Sequence, residues 1–100
     1  MQYHPAVSRH MHHYIVESLD LIHMFLSDAQ GLLNSDLPSA IPLSCYDALT
    51  LAYKHIAYVN PFVMEYSMRT PTDAEHLHSI LNDLRAWADA IDLKIQNDTL

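Results

Sequence analysis

Three side chains with metal-binding chemistry recur at helical spacing near the start of the chain: His10, His13 and Glu17, at i, i+3 and i+7. Positions so spaced share one face of an α-helix, so imidazole and carboxylate groups one turn apart could ligate Zn²⁺, Ni²⁺ or Cu²⁺. His12 adds a neighbouring donor, and Asp20 lies almost one turn beyond Glu17. A functional centre also needs enclosure and hydrogen-bonded support behind its ligands. This face continues into Ser27 and Asp28 and reads as solvated, its histidines as surface groups. No metal and no cofactor is expected, with His10, His13 and Glu17 as the residues that a metal would have to use.

Two further triplets, Asp20-x-x-His23 and Glu75-x-x-His78, mimic half of a di-iron signature. In carboxylate-bridged bundles such pairs project inward and two more Glu residues join them. Here the helical wheel sets Asp20, His23 and Glu75 off the apolar stripes and His78 at a margin. Cys45 falls in the first turn of a predicted helix, where the dipole favours a thiolate. No His or basic residue adjoins it in sequence and it belongs to an apolar stripe, so it reads as a packed core thiol. A single glycine, Gly31, leaves no strained nucleophile turn of the G-x-S-x-G kind. No enzymatic activity is expected. Protonating all eight histidines would move the net charge of −7 to about +1 near pH 5, an effect that ordinary surface titration explains.

The elements that carry these residues read as three long helices in an antiparallel bundle, an all-α single domain over residues 1–100. Helix 1 spans about 5–30. Pro5 suits its first turn, and Met11, Tyr14, Ile15, Ser18, Leu19, Ile22, Phe25, Leu26 and Ala29 form its core face. Gly31 is its expected stop. Leu21 and Met24 fall off that face. The segment from Leu32 to Leu43, with Asn34, Asp36, Pro38 and Pro42, reads as an ordered crossover. Helix 2 spans about 44–69, opening on a Ser44-to-Asp47 variant of the capping box. Its stripe is Cys45, Ala48, Leu49, Ala52, Ile56, Val59, Val63 and Tyr66. Pro61 is expected to kink or restart it, with Asn60 as cap. Helix 3 spans about 71–96 behind a Thr72-to-Glu75 capping box, with Leu77, Ile80, Leu81, Leu84, Trp87, Ala88, Ile91 and Ile95 inward.

Charge bounds the partners. Twelve acidic residues face five scattered basic ones, which disfavours a phosphate-binding or anionic-membrane surface. The residues from Met1 to Pro5 lack the basic region and apolar core of a signal peptide, no apolar run reaches membrane-spanning length, and the lone cysteine suits a reducing compartment. A cytoplasmic protein without nucleic-acid or membrane partners is expected.

Apolar surface is in surplus on the second helix. Beyond the core stripe, Tyr46, Tyr53, Ala57, Met64 and Met68 form a second face, and Leu51, Tyr58 and Phe62 a third beside His55. A helix apolar all round is normally buried all round, and two neighbours hide about two-thirds of its circumference. Leu51, Tyr53, Tyr58, Phe62, Met64 and Met68 are therefore the expected protein-binding residues, for a homodimer or another partner. In length, acidity, three long helices and apolar surplus the chain resembles the small all-helical antiactivators with which bacteria silence quorum-sensing transcription factors. The segment from Pro42 to Leu49 is also similar to the opening of short helical bacterial proteins of unknown function. The first resemblance implies a regulator or inhibitor that covers a receptor's dimerisation or DNA-contact surface with its second helix. It carries over no individual residue. A His-based metal-binding protein and a purely structural oligomer subunit are the alternatives.

Overall fold

The protein is described by a computed structural model over residues 5–33 and 43–98. The described residues form three α-helices, α1 (Pro5–Leu33), α2 (Leu43–Arg69) and α3 (Pro71–Asp98), with no strand among them. Contacts run in opposite directions along α1 and α2: His12 meets Tyr66, Tyr14 meets Phe62, and Phe25 meets His55. The α2 and α3 pairing is antiparallel as well, with Tyr53 against Asp89 and Asn60 against Arg85. The first and third helices consequently run side by side in the same direction, His23 and Gln30 both meeting Trp87.

One layer of side chains along the bundle axis makes the core. All eight stripe residues of α2 are buried, together with Ile15, Ser18, Leu19, Ile22, Leu26 and Ala29 from α1. From α3 come Ala74, Leu77, Leu81, Leu84, Ala88, Ile91 and Ile95. Met11, Phe25, Ile80 and Trp87 pack against this core while only partly covered. Tyr14 departs from the expected stripe at 43 % exposure, because its ring leans across α2 and meets Phe62 edge-on. Leu21 and Met24 lie outside the core as expected, each more than two-fifths exposed.

The ends of the helices differ from the sequence reading. Gly31 does not stop α1, which runs on to Leu33; no glycine has positive φ, and Leu32 and Leu33 continue the partly buried side. The expected crossover otherwise lies outside the described residues. Ser44 cannot cap α2, which already begins at Leu43. Thr72 likewise lies inside α3. Thr70 alone separates α2 from α3: its N–H donates to Tyr66 O at 2.8 Å, and its carbonyl accepts from Ala74 N–H at 3.0 Å. It thus closes one helix and opens the next, with Pro71 in the first-turn position where a missing N–H costs nothing. Pro61, by contrast, starts no new helix, because α2 is a single element through it. Pro61 and Ala57 are both exposed, so water can satisfy the carbonyl that lacks a partner, while buried Val59 and Val63 hold the helix to the core on either side.

The molecule is a rod of 58 × 18 × 16 Å. Its radius of gyration, 16.1 Å, exceeds the roughly 13 Å of a compact chain of this length. Its accessible surface, 6651 Å², likewise exceeds the roughly 5,800 Å² typical of a monomer of this mass. A thin core leaves large apolar side chains at the seams between helices.

A candidate protein-binding face on the first two helices

The six side chains expected to bind a partner end in three different surroundings. Leu51, Tyr58 and Phe62 stand at 39, 54 and 41 % exposure along the edge of α2 that borders α1. There α1 and α2 meet through their rings. Tyr14 packs edge-on to Phe62 with ring centroids 4.9 Å apart, and Phe25 stacks on His55 at 5.5 Å. His55 in turn meets Tyr58 edge-on at 6.3 Å. With Leu21, which shares the helix face of Tyr14 and Phe25, these residues form an apolar strip along the facing margins of both helices. Lys54 adjoins it, its Nζ 6.0 Å from the Tyr58 ring centroid, near the limit for a cation–π contact. Exposed Glu17, Asp28, Asp47 and Glu65 lie one helical turn from Leu21, Phe25, Leu51 and Phe62 and flank it. Both helices present the strip at helical spacing, Tyr14, Leu21 and Phe25 at steps of seven and four residues on one and Leu51, His55, Tyr58 and Phe62 at steps of four, three and four on the other.

Tyr53 belongs elsewhere. It is half-buried in the α2–α3 seam, and its hydroxyl donates to Asp89 Oδ1 at 2.7 Å. Burial, then the Asp89 carboxylate that accepts this bond, push the Tyr53 phenol well above its ordinary range. A side chain so engaged is part of the intramolecular packing. Tyr46 is partly buried beside the core in the same way. Met64 and Met68 are exposed, at 52 and 85 %, on a different side of α2 from the strip. They stand near Glu65 and Arg69, which pair at 2.9 Å.

Sequence reasoning missed the contribution of α1. Helical period alone sets Tyr14 and Phe25 on the core face of α1 and Leu21 off it. The usable signal was their shared margin on the helical wheel, which an antiparallel α2 brings beside Leu51, Tyr58 and Phe62.

The metal-ligating candidates do not assemble. His13 Nε2 and Glu17 Oε1 approach to 3.0 Å as a solvent-exposed pair. His10 is exposed without joining them in a ligand cluster, and His12 turns toward α2, sharing a 3.1 Å hydrogen bond with the Tyr66 hydroxyl. Among the described residues no three His, Cys, Asp or Glu side chains converge to hold an ion. Asp20 and His23 rim a cleft of about 150 Å³ between α1 and α3, floored by Leu19, Ile80 and Leu84. Glu75 and His78 line a separate open depression near the α2–α3 turn, so the two triplets do not share a site. Cys45 is fully buried; its thiol donates to Ala29 O at 3.3 Å, and burial pushes its pKa up, away from a reactive thiolate.

Among the described residues no helix is long and apolar enough to cross a membrane. No protein-family model, curated protein or solved structure matches the chain.

Proposed function

We propose that this protein is a non-enzymatic interaction module, a regulator or inhibitor that covers a partner protein's working surface with the outer strip of α1 and α2. The observation that carries this reading is the strip itself: Tyr14, Leu21, Leu51, Tyr58 and Phe62, each about two-fifths to one-half exposed along the facing margins of two helices that meet through Tyr14 and Phe62. Contiguous apolar patches rimmed by polar residues mark interaction sites, and aromatic anchors dominate their energetics. The binding residues are thus Leu51, Tyr58 and Phe62 from α2 with Tyr14 and Leu21 from α1. Met64 and Met68 are a secondary surface. Occlusion of a regulatory protein's dimerisation or DNA-contact surface is the mode of the antiactivators that the chain resembles in profile. Such a role suits the reducing cytoplasm, where Cys45 remains a thiol.

The test is affinity capture from the native cell with wild-type bait and with Tyr58→Ala and Phe62→Ala baits. A specific protein that is captured by the wild type and lost with both variants is the expected result. Capture that ignores both substitutions, or no specific capture at all, would count against the occlusion reading.

A further inference from the structure

We infer that the outer strip of α1 and α2 is also the interface of a symmetric homodimer, two copies of this chain lying strip against strip with their acidic α3 helices on opposite outer sides. The inference rests on reading the strip as a binding surface and adds the identity of one occupant.

Area supports it. The five exposed side chains and the half-buried Phe25 and His55 present roughly 500 Å² of apolar surface, given the 150–250 Å² that a large aromatic has to bury. That is near the upper end of apolar patches on monomers. A standard interface takes about 800 Å² from each partner, core and polar rim together. The strip supplies the core of such an interface, and its flanks, including Lys54, supply the rim. An isologous contact uses the same patch on both sides, so no second complementary surface is needed. The aromatic rings can meet in the offset and edge-on arrangements already present within one chain.

Charge selects this face over the others. The helix α3 holds six of the twelve acidic residues against only Arg85 and Lys94, whereas α2 balances Asp47 and Glu65 with Lys54 and Arg69 and α1 sets Glu17, Asp20 and Asp28 against Arg9, so the α1–α2 layer is the less acidic one. Pairing through α3 would bring Glu75, Asp83 and Asp89, all exposed, against their copies. Pairing through the strip places both α1–α2 layers between the two α3 helices. With layers about 8–10 Å apart, the acidic helices are separated by roughly three Debye lengths at physiological salt. A chain with net charge −7 therefore self-associates here against less repulsion than through α3.

Sedimentation velocity from micromolar to millimolar chain, at low and high salt, tests the assignment. The wild type should shift from monomer to dimer with concentration, and the dimer should be no weaker at high salt, which screens the carboxylates flanking the strip. Tyr58→Lys and Phe62→Lys should each weaken the dimer at least about tenfold while unfolding thermally near the wild type. Leu21→Lys is a third arm on the other helix, should either variant fail to fold. Leu93→Lys on α3, 59 % exposed in the wild type, should leave the dimer unchanged. A monomer throughout the range, a larger oligomer, a dimer indifferent to the strip variants, or one lost with Leu93→Lys overturns the homodimer. The two readings fail separately. A monomeric wild type that still captures a partner through Tyr58 and Phe62 removes the homodimer and leaves occlusion standing; a strip-dependent dimer that captures nothing does the reverse.

Discussion

Tyr53 and Tyr58 stand on the same helix, five residues apart, and meet opposite circumstances. Tyr53 turns into the α2–α3 seam, where most of its surface is covered and its hydroxyl donates a hydrogen bond to Asp89. Tyr58 turns to the open side of the α1–α2 seam, 54 % exposed, with His55 and Lys54 beside its ring. Residue type and helical period are the same for both. The difference lies in which neighbouring helix lies across that part of the circumference. One seam is closed by a polar pair at its rim, whereas the other ends in exposed aromatic surface. The first contributes to folding, and the second is the surface proposed to associate.

The largest expected effect comes from the core that both seams enclose. Leu49→Ala and Leu84→Ala remove buried side chains and should each cost about 2–5 kcal/mol in chemical denaturation, through lost transfer energy and the cavity left behind. Tyr58→Ala and Phe62→Ala should cost about 1 kcal/mol or less, since roughly half of each side chain is already in water. Should these two variants unfold as readily as Leu84→Ala, the strip is core and the contrast between the seams disappears.

Tyr53→Phe sharpens the same contrast. It removes one hydrogen bond and leaves the ring, so a loss of about 1 kcal/mol is expected, against almost none for Tyr58→Phe. The pH dependence adds a second signature. The folded state raises the pKa of Tyr53 above its ordinary 10.0 and that of Cys45 above 9.0. A raised pKa means that the fold favours the protonated group, so its contribution is fully present below the unfolded pKa. The unfolded chain loses these protons first as pH rises, and stability falls with it. Denaturation midpoints should thus show no loss from these two groups below pH 9 and decline above it, first through Cys45 and then, beyond pH 10, through Tyr53. Cys45→Ala should blunt the first part of the decline and Tyr53→Phe the second. A decline of equal size in both variants would detach these groups from it.

Much of the fold was legible because helical period reports burial directly. The whole buried stripe of α2, from Cys45 to Tyr66, and most of that of α3 follow from three- and four-residue steps. Helix ends were harder. Gly31 is compatible with a helical backbone as well as with a stop, so its presence alone does not end α1. Thr72 has the side chain of a cap, but Pro71 fits the first turn and passes the boundary back to Thr70. Of the candidate site, Leu51, Tyr58 and Phe62 were legible as apolar residues outside the core stripe. That Tyr53 would be taken by Asp89, and that Tyr14 and Leu21 would complete the strip, depended on the pairing of helices, which one-helix periodicity does not encode.

The solvated face of α1 provides the smallest effect and the reference against which both seams are measured. His13 and Glu17 approach to 3.0 Å with side chains 73 and 64 % exposed. Screening by water and salt and the entropy of two mobile side chains leave such a pair worth at most a few tenths of a kcal/mol. His13→Ala should therefore leave thermal unfolding within about 0.5 kcal/mol of the wild type. Metal titration asks more of the same residues. Two side chains on an open helix face lack the enclosing ligands and hydrogen-bonded support that tight sites have, so calorimetry with Zn²⁺ should register only weak association. Submicromolar, stoichiometric Zn²⁺ binding that His13→Ala abolishes would overturn this. It would require His10 or His12 to rotate onto the ion, and for His12 that means giving up the hydrogen bond to Tyr66. The α1–α2 seam would then respond to metal, and its strip could no longer be treated as independent of the face beside it.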